Sequence, residues 1–277
     1  MFVRLRLAAF AILLGALGLG LVGLAPPQAK ASPDFSNMLD MVKPGVVAIA
    51  ADGPGGNQAT GSGFIVKQDG EPYVVTNFHV IQPALELTDG TYEQKRSIRV
   101  FLPEAERGFQ LDLENPREAT FVRGSPPWPF FQRDGEPTGL DVAQLDIGSV
   151  GNQLYWGDSS DVSAGEEIFS LGYPRGQPIL NVTRGFVATG PGLAPGEATI
   201  QFEAQSNGGN SGGPLINSRG QVVGIVTAGT AAIVPVVDPR TGEIRGFTRV
   251  ETSNQFELGT ASNAAQAVLE RLAREAE

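Results

Sequence analysis

The chain contains no cysteine and only one histidine among its 277 residues. Without cysteine it can form neither a disulfide nor a thiolate metal site, and a zinc site built almost wholly from carboxylates would be uncommon. No metal and no cofactor is therefore expected. The single imidazole also limits acid–base chemistry, because imidazole is the side chain whose unperturbed pKa best suits a general base at neutral pH. If the protein is a serine hydrolase, that role falls on His79.

Basic residues are scarce as well. The chain carries 20 Lys and Arg against 30 Asp and Glu, a net charge of −10. An acidic chain repels nucleic acids and anionic membrane surfaces, so neither is an expected partner.

Residues 1–31 have the layout of a secretory signal peptide. Arg4 and Arg6 precede an apolar run from Ala8 to Ala25, and Ala29-Lys30-Ala31 offers a small-x-small cleavage site. Removing the three basic residues of this segment from the total of 20 leaves 17, against 30 acidic residues, a net charge of −13. The prediction is an exported protein, periplasmic or extracellular, with no stable membrane insertion after cleavage. Because a run of about 18 apolar residues reaches the lower limit for a membrane-spanning helix, an uncleaved anchor is the alternative.

The remaining chain is predicted to be all-β until its end. Short runs rich in Val, Ile, Phe and Thr recur at about ten-residue spacing, and 36 Gly and 20 Pro separate them. At roughly 100 residues per unit, the length suggests two sandwiches or barrels. We expect an N-terminal barrel over residues 32–150, a C-terminal barrel over 151–258, and a helix over 259–277, where the apolar residues adopt helical spacing.

A glycine-rich segment around Ser211 is the first candidate for chemistry. It reads Gly208-Gly209-Asn210-Ser211-Gly212-Gly213-Pro214. Glycines on both sides of a serine allow positive φ angles and close approach of a substrate, as a nucleophile on a tight turn requires. Backbone N–H groups in such a turn can also meet an oxyanion.

A base of this kind needs a buried carboxylate to fix its tautomer and to stabilise the imidazolium. Asp141 is the preferred candidate, because it precedes the apolar stretch Val142 to Leu145 and can be carried into the core. Asp146, farther along the same stretch, is the alternative.

Together these segments resemble the trypsin-like (chymotrypsin-fold) serine proteases, and among them the bacterial Htr/Deg branch. The order His, Asp, Ser is that of this fold. The resemblance covers roughly residues 38–250 and is carried by Gly61-Ser62-Gly63-Phe64-Ile65, Thr76-Asn77-Phe78-His79-Val80, Asp141-Val142-Ala143-Gln144-Leu145, Gly157-Asp158-Ser159, Gly165-Glu166-Glu167, Leu171-Gly172-Tyr173-Pro174, Val182-Thr183-Arg184-Gly185, Gly209-Asn210-Ser211-Gly212-Gly213-Pro214-Leu215 and Gly246-Phe247.

The resemblance implies two six-stranded antiparallel β-barrels with a C-terminal α-helix, and a serine endopeptidase that acts through an acyl-enzyme. Ser211 would attack the peptide carbonyl, His79 would transfer the proton, and Asp141 would hold the imidazole. The N–H groups of Gly209 and Ser211 would form the oxyanion hole. The strand through Thr227, Ala228 and Gly229 would pair with an extended polypeptide substrate.

The sequence departs from the family pattern in three places. Asn210 stands where zymogen-activated trypsins have an aspartate, so activation through an ion pair with a new N-terminus is not expected. The Htr peptide-binding domain is not expected after the final helix. The segment before Ser211 is not a close match, and Gln205, near the base of the expected specificity pocket, is not a carboxylate. Small or medium apolar substrate side chains are therefore predicted, and Arg245 offers an acidic preference as the alternative.

A second hypothesis is a catalytically weak member of the same fold that serves as a chaperone or binding module. The aromatic, proline-rich stretch Trp128 to Phe131 motivates it, as a contact patch for a substrate or for another copy in a homo-oligomer.

Overall fold

Strands make up most of the regular structure, as the sequence pattern predicts. The computed structural model describes residues 34–127, 132–133, 136–137, 140–190, 199–204, 208–229, 231–237, 244–251 and 257–276. The predicted leader, the stretch Trp128 to Phe131 and Gln205 lie outside the described residues. Within the described ranges, no helix has the length and apolar character needed to cross a bilayer.

The described chain from Phe35 onward forms one unit with three α-helices. The helices are α1 (Ser36–Val42), α2 (Phe78–Ile81) and α3 (Ser262–Arg274). The strands of the N-terminal half are β1 (Val46–Asp52), β2 (Gln58–Gln68), β3 (Glu71–Thr76), β4 (Leu85–Thr88), β5 (Thr91–Gln94), β6 (Ile98–Phe101), β7 (Pro103–Glu104), β8 (Gln110–Leu111), β9 (Arg117–Glu118), β10 (Thr120–Pro127), β11 (Gln132–Arg133), β12 (Glu136–Pro137) and β13 (Leu140–Asp146). Those of the C-terminal half are β14 (Tyr155–Trp156), β15 (Glu167–Gly172), β16 (Asn181–Thr189), β17 (Thr199–Glu203), β18 (Pro214–Asn217), β19 (Gln221–Gly229), β20 (Ala231–Val237), β21 (Ile244–Glu251) and β22 (Glu257–Ala261).

The C-terminal half closes into a six-stranded barrel. Its strands follow the order β19-β18-β15-β16-β17-β22, and a direct β19–β22 pairing completes the ring. The short strand β14 adds to β19 from outside the ring, in parallel. Ile200, Phe202 and Leu215 are fully buried in a core cluster of this half. The predicted barrel is therefore present here.

The N-terminal half is a curled sheet rather than the closed six-stranded barrel that was expected. Its seven strands follow the order β10-β13-β3-β2-β1-β6-β9, and no ladder joins the two edges among the described residues. The edges are nevertheless neighbours in the chain, because β9 and β10 are separated only by Ala119. The Gln94 amide donates to the Ala119 carbonyl at 3.0 Å and accepts from the Phe121 N–H at 2.7 Å. The Gln94 side chain, at the end of β5, thus ties the corner between β9 and β10 to the neighbouring β4–β5 hairpin. The all-β class and the chymotrypsin-like architecture are confirmed, with this difference.

Strand β1 explains why the sequence shows continuous apolar runs in places instead of strict alternation. Val46 and Ala48 belong to one core cluster, whereas Val47, Ile49 and Ala51 belong to another. Both faces of the strand are buried, so neither face selects polar residues.

Helix α3 begins at Ser262 because the preceding residues form β22, the strand that closes the barrel. The Ser262 hydroxyl donates a 2.7 Å hydrogen bond to the Gly157 carbonyl, and Ala265 and Leu269 are buried in the core. These contacts hold the helix to the main body of the protein.

Replacing Gly185 with alanine should lower the thermal stability of the protein. A Cβ at this position would lie 1.9 Å from the Glu203 carbonyl oxygen, so β16 and β17 would have to separate. Overpacking of this kind costs about 1–3 kcal/mol. Thermal unfolding followed by circular dichroism measures the effect. Gly151→Ala is the matched control, because a Cβ there meets nothing within 4 Å. Equal melting temperatures for the two variants would contradict the packing argument.

Candidate active site

His79 lies in the first turn of α2, a four-residue helix that directly follows β3. The first N–H groups of a helix have no partner within it and need acceptors from elsewhere. The Asp141 carboxylate supplies one, since its Oδ1 accepts from the His79 N–H at 2.9 Å. The backbone of the histidine is therefore fixed by the same side chain that contacts its ring.

The Asp141 carboxylate also orients the imidazole. Its Oδ2 accepts from Nδ1 of His79 at 2.6 Å, so the two oxygens hold both the backbone and the ring of the histidine. A carboxylate partner requires the proton on Nδ1, which leaves Nε2 with its lone pair as the proton acceptor. The side chain of Asp141 is 6% exposed and that of His79 is 39% exposed. The charged partner is thus shielded while the ring stays accessible.

Asp141 adopts a left-handed backbone conformation, with φ of +51°. Such an angle is uncommon for a residue other than glycine, and it persists where surrounding contacts enforce it. Here the Asn77 side-chain amide donates to the Asp141 carbonyl at 2.7 Å, in addition to the two bonds from His79. The conformation turns the carboxylate out of the regular strand direction and toward α2.

Asp146, the alternative carboxylate, plays a different part. It is exposed at the end of β13, and its Oδ1 accepts from the Gly148 N–H at 2.8 Å. It shapes the turn after the strand and does not contact His79.

The turn that carries Ser211 is bonded to both halves of the protein. The Ser62 N–H of β2 donates to the Ser211 carbonyl at 2.8 Å, and the Gly212 N–H donates to the Val226 carbonyl of β19 at 2.8 Å. Within the turn, the Gly213 N–H donates to the Asn210 carbonyl at 2.9 Å. The serine is therefore held at the junction between the two sheets.

Gly212 brings this turn against the segment that leads to His79. It has φ of +85°, and a Cβ there would lie 2.2 Å from the Ser62 carbonyl oxygen and 2.3 Å from Oγ1 of Thr76. It would also lie 3.0 Å from the Asn77 nitrogen, two residues before the histidine. Only glycine fits so close an approach, which brings the residues next to Ser211 into contact with those just before His79.

Ser62 is a structural residue that sequence reasoning did not single out for a role. Its hydroxyl donates to the Gly209 carbonyl at 2.7 Å and accepts from the Tyr173 N–H at 2.8 Å. It is fully buried. The sequence signal is its place between Gly61 and Gly63, because a hydroxyl side chain is uncommon in an apolar strand.

The peptide between Gly208 and Gly209 has a fixed orientation. The Arg175 N–H donates to the Gly208 carbonyl at 2.8 Å. Because a trans peptide is planar, the Gly209 N–H must point the opposite way. Neither this N–H nor that of Ser211 donates to another described residue. Two backbone donors beside a serine are an arrangement that can stabilise a developing oxyanion.

Strand β19 presents a free edge next to the serine turn. Its pairing with β18 extends only to Ile225, whereas its pairing with β22 continues through Ala228 and Gly229. The Thr227 side chain contacts β22, because its hydroxyl forms a hydrogen bond with Oγ1 of Thr260 at 3.0 Å. In the described structure, Ala228 and Gly229 are therefore paired on one side only, and Thr227 lies at the register shift between Val226 and Ala228.

The side chains of Gln205 and Arg245, predicted near the specificity pocket, lie outside the described part of the structure. Gln205 lies outside the described residues, and Arg245 lies in β21, of which only the backbone is described. For metals, the described residues contain no group of three or more His, Asp or Glu side chains that could hold an ion.

A family model of the trypsin-like peptidase domain matches residues 61–225. The chain is 31% identical over 176 residues to the serine protease Do-like HtrA of Bacillus subtilis, in an alignment that covers 60% of this chain and 32% of that protein. It is 33% identical over 177 residues to a probable periplasmic serine endoprotease DegP-like of Hahella chejuensis, covering 62% of this chain and 30% of that protein. The chain thus spans about a third of the length of these curated relatives.

Among solved structures, the HtrA-type protease AlgW with tripeptide is similar with a TM-score of 0.58 and 22% identity. The similarity covers 88% of this chain and 65% of that chain. At this identity the likeness concerns the fold, which agrees with the two halves described above.

Asp141→Asn should slow hydrolysis of a peptide substrate by about 10⁴-fold while the protein stays folded. An amide of the same shape cannot stabilise an imidazolium and favours the wrong tautomer, and this change in a comparable constellation has an effect of about that size. Steady-state kinetics give the rate, and thermal unfolding checks the fold. Asp146→Asn, at the exposed carboxylate on the same strand, should leave the rate unchanged. A loss of rate in that control equal to the loss in Asp141→Asn would refute the assignment of Asp141.

Ser62→Ala should destabilise the protein by about 1–3 kcal/mol, because it leaves the Gly209 carbonyl and the Tyr173 N–H without their buried partner. The rate of peptide hydrolysis should fall as well, since Gly209 belongs to the donor pair beside Ser211. Chemical denaturation and kinetics on the same preparations measure both effects. Ser149→Ala, at an exposed serine, is the control. If the stability of Ser62→Ala matched that of the control, the bridging role of Ser62 would have to be abandoned.

Proposed function

The chain belongs to the trypsin-like peptidase family, and from this premise we propose that it is a serine endopeptidase that uses Ser211, His79 and Asp141. The observation that supports this most strongly is the pair of bonds from the buried Asp141 carboxylate to the ring and backbone of the family's expected base. A surface histidine without a catalytic role does not require a partner like Asp141, a shielded carboxylate in a left-handed backbone conformation.

The proposed reaction begins with attack of the Ser211 hydroxyl on the scissile carbonyl carbon. Nε2 of His79 takes the hydroxyl proton, and the N–H groups of Gly209 and Ser211 donate to the oxyanion of the tetrahedral intermediate. The C–N bond then breaks, the proton passes from His79 to the leaving amine, and an acyl-enzyme remains. Water, activated by the same imidazole, attacks the ester carbonyl and releases the acid. Asp141 holds the tautomer and orientation throughout.

The substrate is proposed to be an extended polypeptide. Its backbone would pair with the free edge of β19 at Thr227, Ala228 and Gly229, which supplies affinity through main-chain hydrogen bonds. The strand is anchored through Val226, which bonds to Gly212 and Gly213 of the serine turn, so a peptide on this edge passes the nucleophile.

We further propose that the protein is exported to the periplasm or the extracellular space. The leader-like segment 1–31 supports this, as does similarity to the Hahella chejuensis relative, whose name describes it as periplasmic. Retention by an uncleaved anchor is the alternative location. We also propose that the protein assembles as a homo-oligomer, which sedimentation of the purified protein tests.

Replacement of Ser211 by alanine should abolish casein hydrolysis and remove labelling by a fluorophosphonate probe. The probe reacts only with a serine activated by an assembled site, so it tests the nucleophile and its base together. Ser218→Ala, at an exposed serine seven residues farther along, should label and cleave as the parent protein does. Undiminished casein cleavage by Ser211→Ala would rule out this serine as the nucleophile.

A further inference from the structure

Glu257 occupies a position in the C-terminal barrel where a carboxylate is unexpected. It is the first residue of β22, which lies between β17 and β19. It pairs with Phe202 on one side and with Gly229 on the other. Gly229 is the last residue of the edge proposed to bind the substrate backbone, so Glu257 stands beside the end of that edge.

The Glu257 side chain faces the inside of the barrel. Side chains along a strand alternate between the two faces, so residues 257, 259 and 261 share one face. A Cβ on Gly259 would lie 2.6 Å from Cδ1 of Leu215 and 3.5 Å from the Phe202 ring, both in the apolar core. Ala261 is fully buried in the same core. Glu257 is the next residue of this face, at the end of the barrel near the free edge.

One oxygen of this carboxyl group has no partner among the residues that the structure describes. Oε2 is shielded from solvent and makes no hydrogen bond to a described residue. Shielding an unpaired carboxylate disfavours its charged form, and burial raises the pKa of Glu257 to about 7. The residues beside it in register, Phe202 and Gly229, are not ionisable, and Glu203, the next residue of β17, is exposed. A shielded carboxyl oxygen without a hydrogen-bond partner is suited to accept a hydrogen bond from a cationic group of a bound ligand.

We propose that Glu257 lines the pocket for the substrate side chain on the acyl side of the scissile bond, and that it selects lysine or arginine there. The inference rests on the proposed function, because it takes Ser211 as the nucleophile and residues 227–229 as the substrate edge. It differs from the apolar preference that the sequence predicts near Gln205 and from the acidic alternative through Arg245.

The dimensions favour a long basic side chain. Val226 bonds to the serine turn, and Gly229 lies three residues farther, about 10 Å along an extended strand. Gly229 has no side chain to obstruct the path from the free edge to Glu257. The apolar stem of a lysine or arginine would pack along this path, and its charged head would meet the carboxylate.

The test uses fluorogenic peptides that differ only in the residue before the scissile bond: lysine, arginine, leucine or glutamate. The parent protein should cleave the lysine and arginine peptides with kcat/KM about 100-fold above the leucine peptide. Glu257→Gln should lose most of that advantage and leave the leucine peptide nearly unaffected. Glu203→Gln removes an equal charge from the exposed surface of the neighbouring strand and should keep the preference.

The pH dependence provides a second readout. Above pH 7 the Glu257 carboxyl is ionised and below it is protonated, so the ratio of lysine to leucine cleavage should rise between pH 6 and pH 8. Taking the ratio removes any titration of the triad that both substrates share. In Glu257→Gln the ratio should be independent of pH, which a purely structural role for Glu257 would not produce.

The outcomes separate this inference from the proposed function. If the parent protein is labelled by the fluorophosphonate and cleaves peptides, but lysine and leucine are cleaved equally, the specificity inference fails and the endopeptidase stands. The same conclusion follows if Glu257→Gln retains the preference. If the parent protein is neither labelled nor cleaves any peptide, the proposed function fails and this inference with it. Equal probe labelling of the parent and of Glu257→Gln establishes that the variant is folded.

Discussion

Ser62 joins the two halves of the protein at the point where the candidate chemistry takes place. Its N–H is bonded to the Ser211 carbonyl, and its hydroxyl links the Gly209 carbonyl to the Tyr173 N–H. These bonds run from a strand of the N-terminal sheet to the serine turn of the C-terminal barrel. Since His79 and Asp141 belong to the first half and Ser211 to the second, the relative position of the proposed base and the proposed nucleophile depends on this junction. The candidate site thus draws its residues from both sheets, which these hydrogen bonds join.

The buried carboxyl group of Asp141 and the partly buried one of Glu257 contrast in their surroundings. Asp141 accepts hydrogen bonds from the His79 ring and backbone, so its burial is compensated within the protein. Glu257 has an oxygen with no described partner, and its pKa is raised by burial. A carboxyl group with both oxygens bonded, such as that of Asp141, orients the residue that it contacts. A carboxyl group with an unbonded oxygen, such as that of Glu257, can accept a hydrogen bond from a bound ligand. The same side-chain chemistry thus supports two different roles, and local hydrogen bonding distinguishes them.

Much of the architecture could be predicted from the sequence, because the evenly spaced apolar runs and the short motifs around His79, Asp141 and Ser211 are local signals. Asp141 was preferred over Asp146 because it precedes an apolar strand, and the structure places it in contact with His79. Its left-handed backbone, the bridging hydroxyl of Ser62 and the contacts of Gln94 with Ala119 and Phe121 could not be predicted. Each of these depends on which residues meet across more than 20 positions of sequence. The place of Glu257 could not be predicted for the same reason, since only the pairing of β22 with β19 brings it beside Gly229.

The open N-terminal sheet leaves a long edge on β10, and such an edge is a template on which strands of other molecules can grow. The Phe121 N–H is already engaged by Gln94, a register shift interrupts the ladder between Phe121 and Arg123, and Pro126 and Pro127 contribute no N–H donors at the far end. These features hinder intermolecular β-pairing at both ends of the described edge. A chain that has no disulfides to restrain its unfolding gains resistance to aggregation from these few residues.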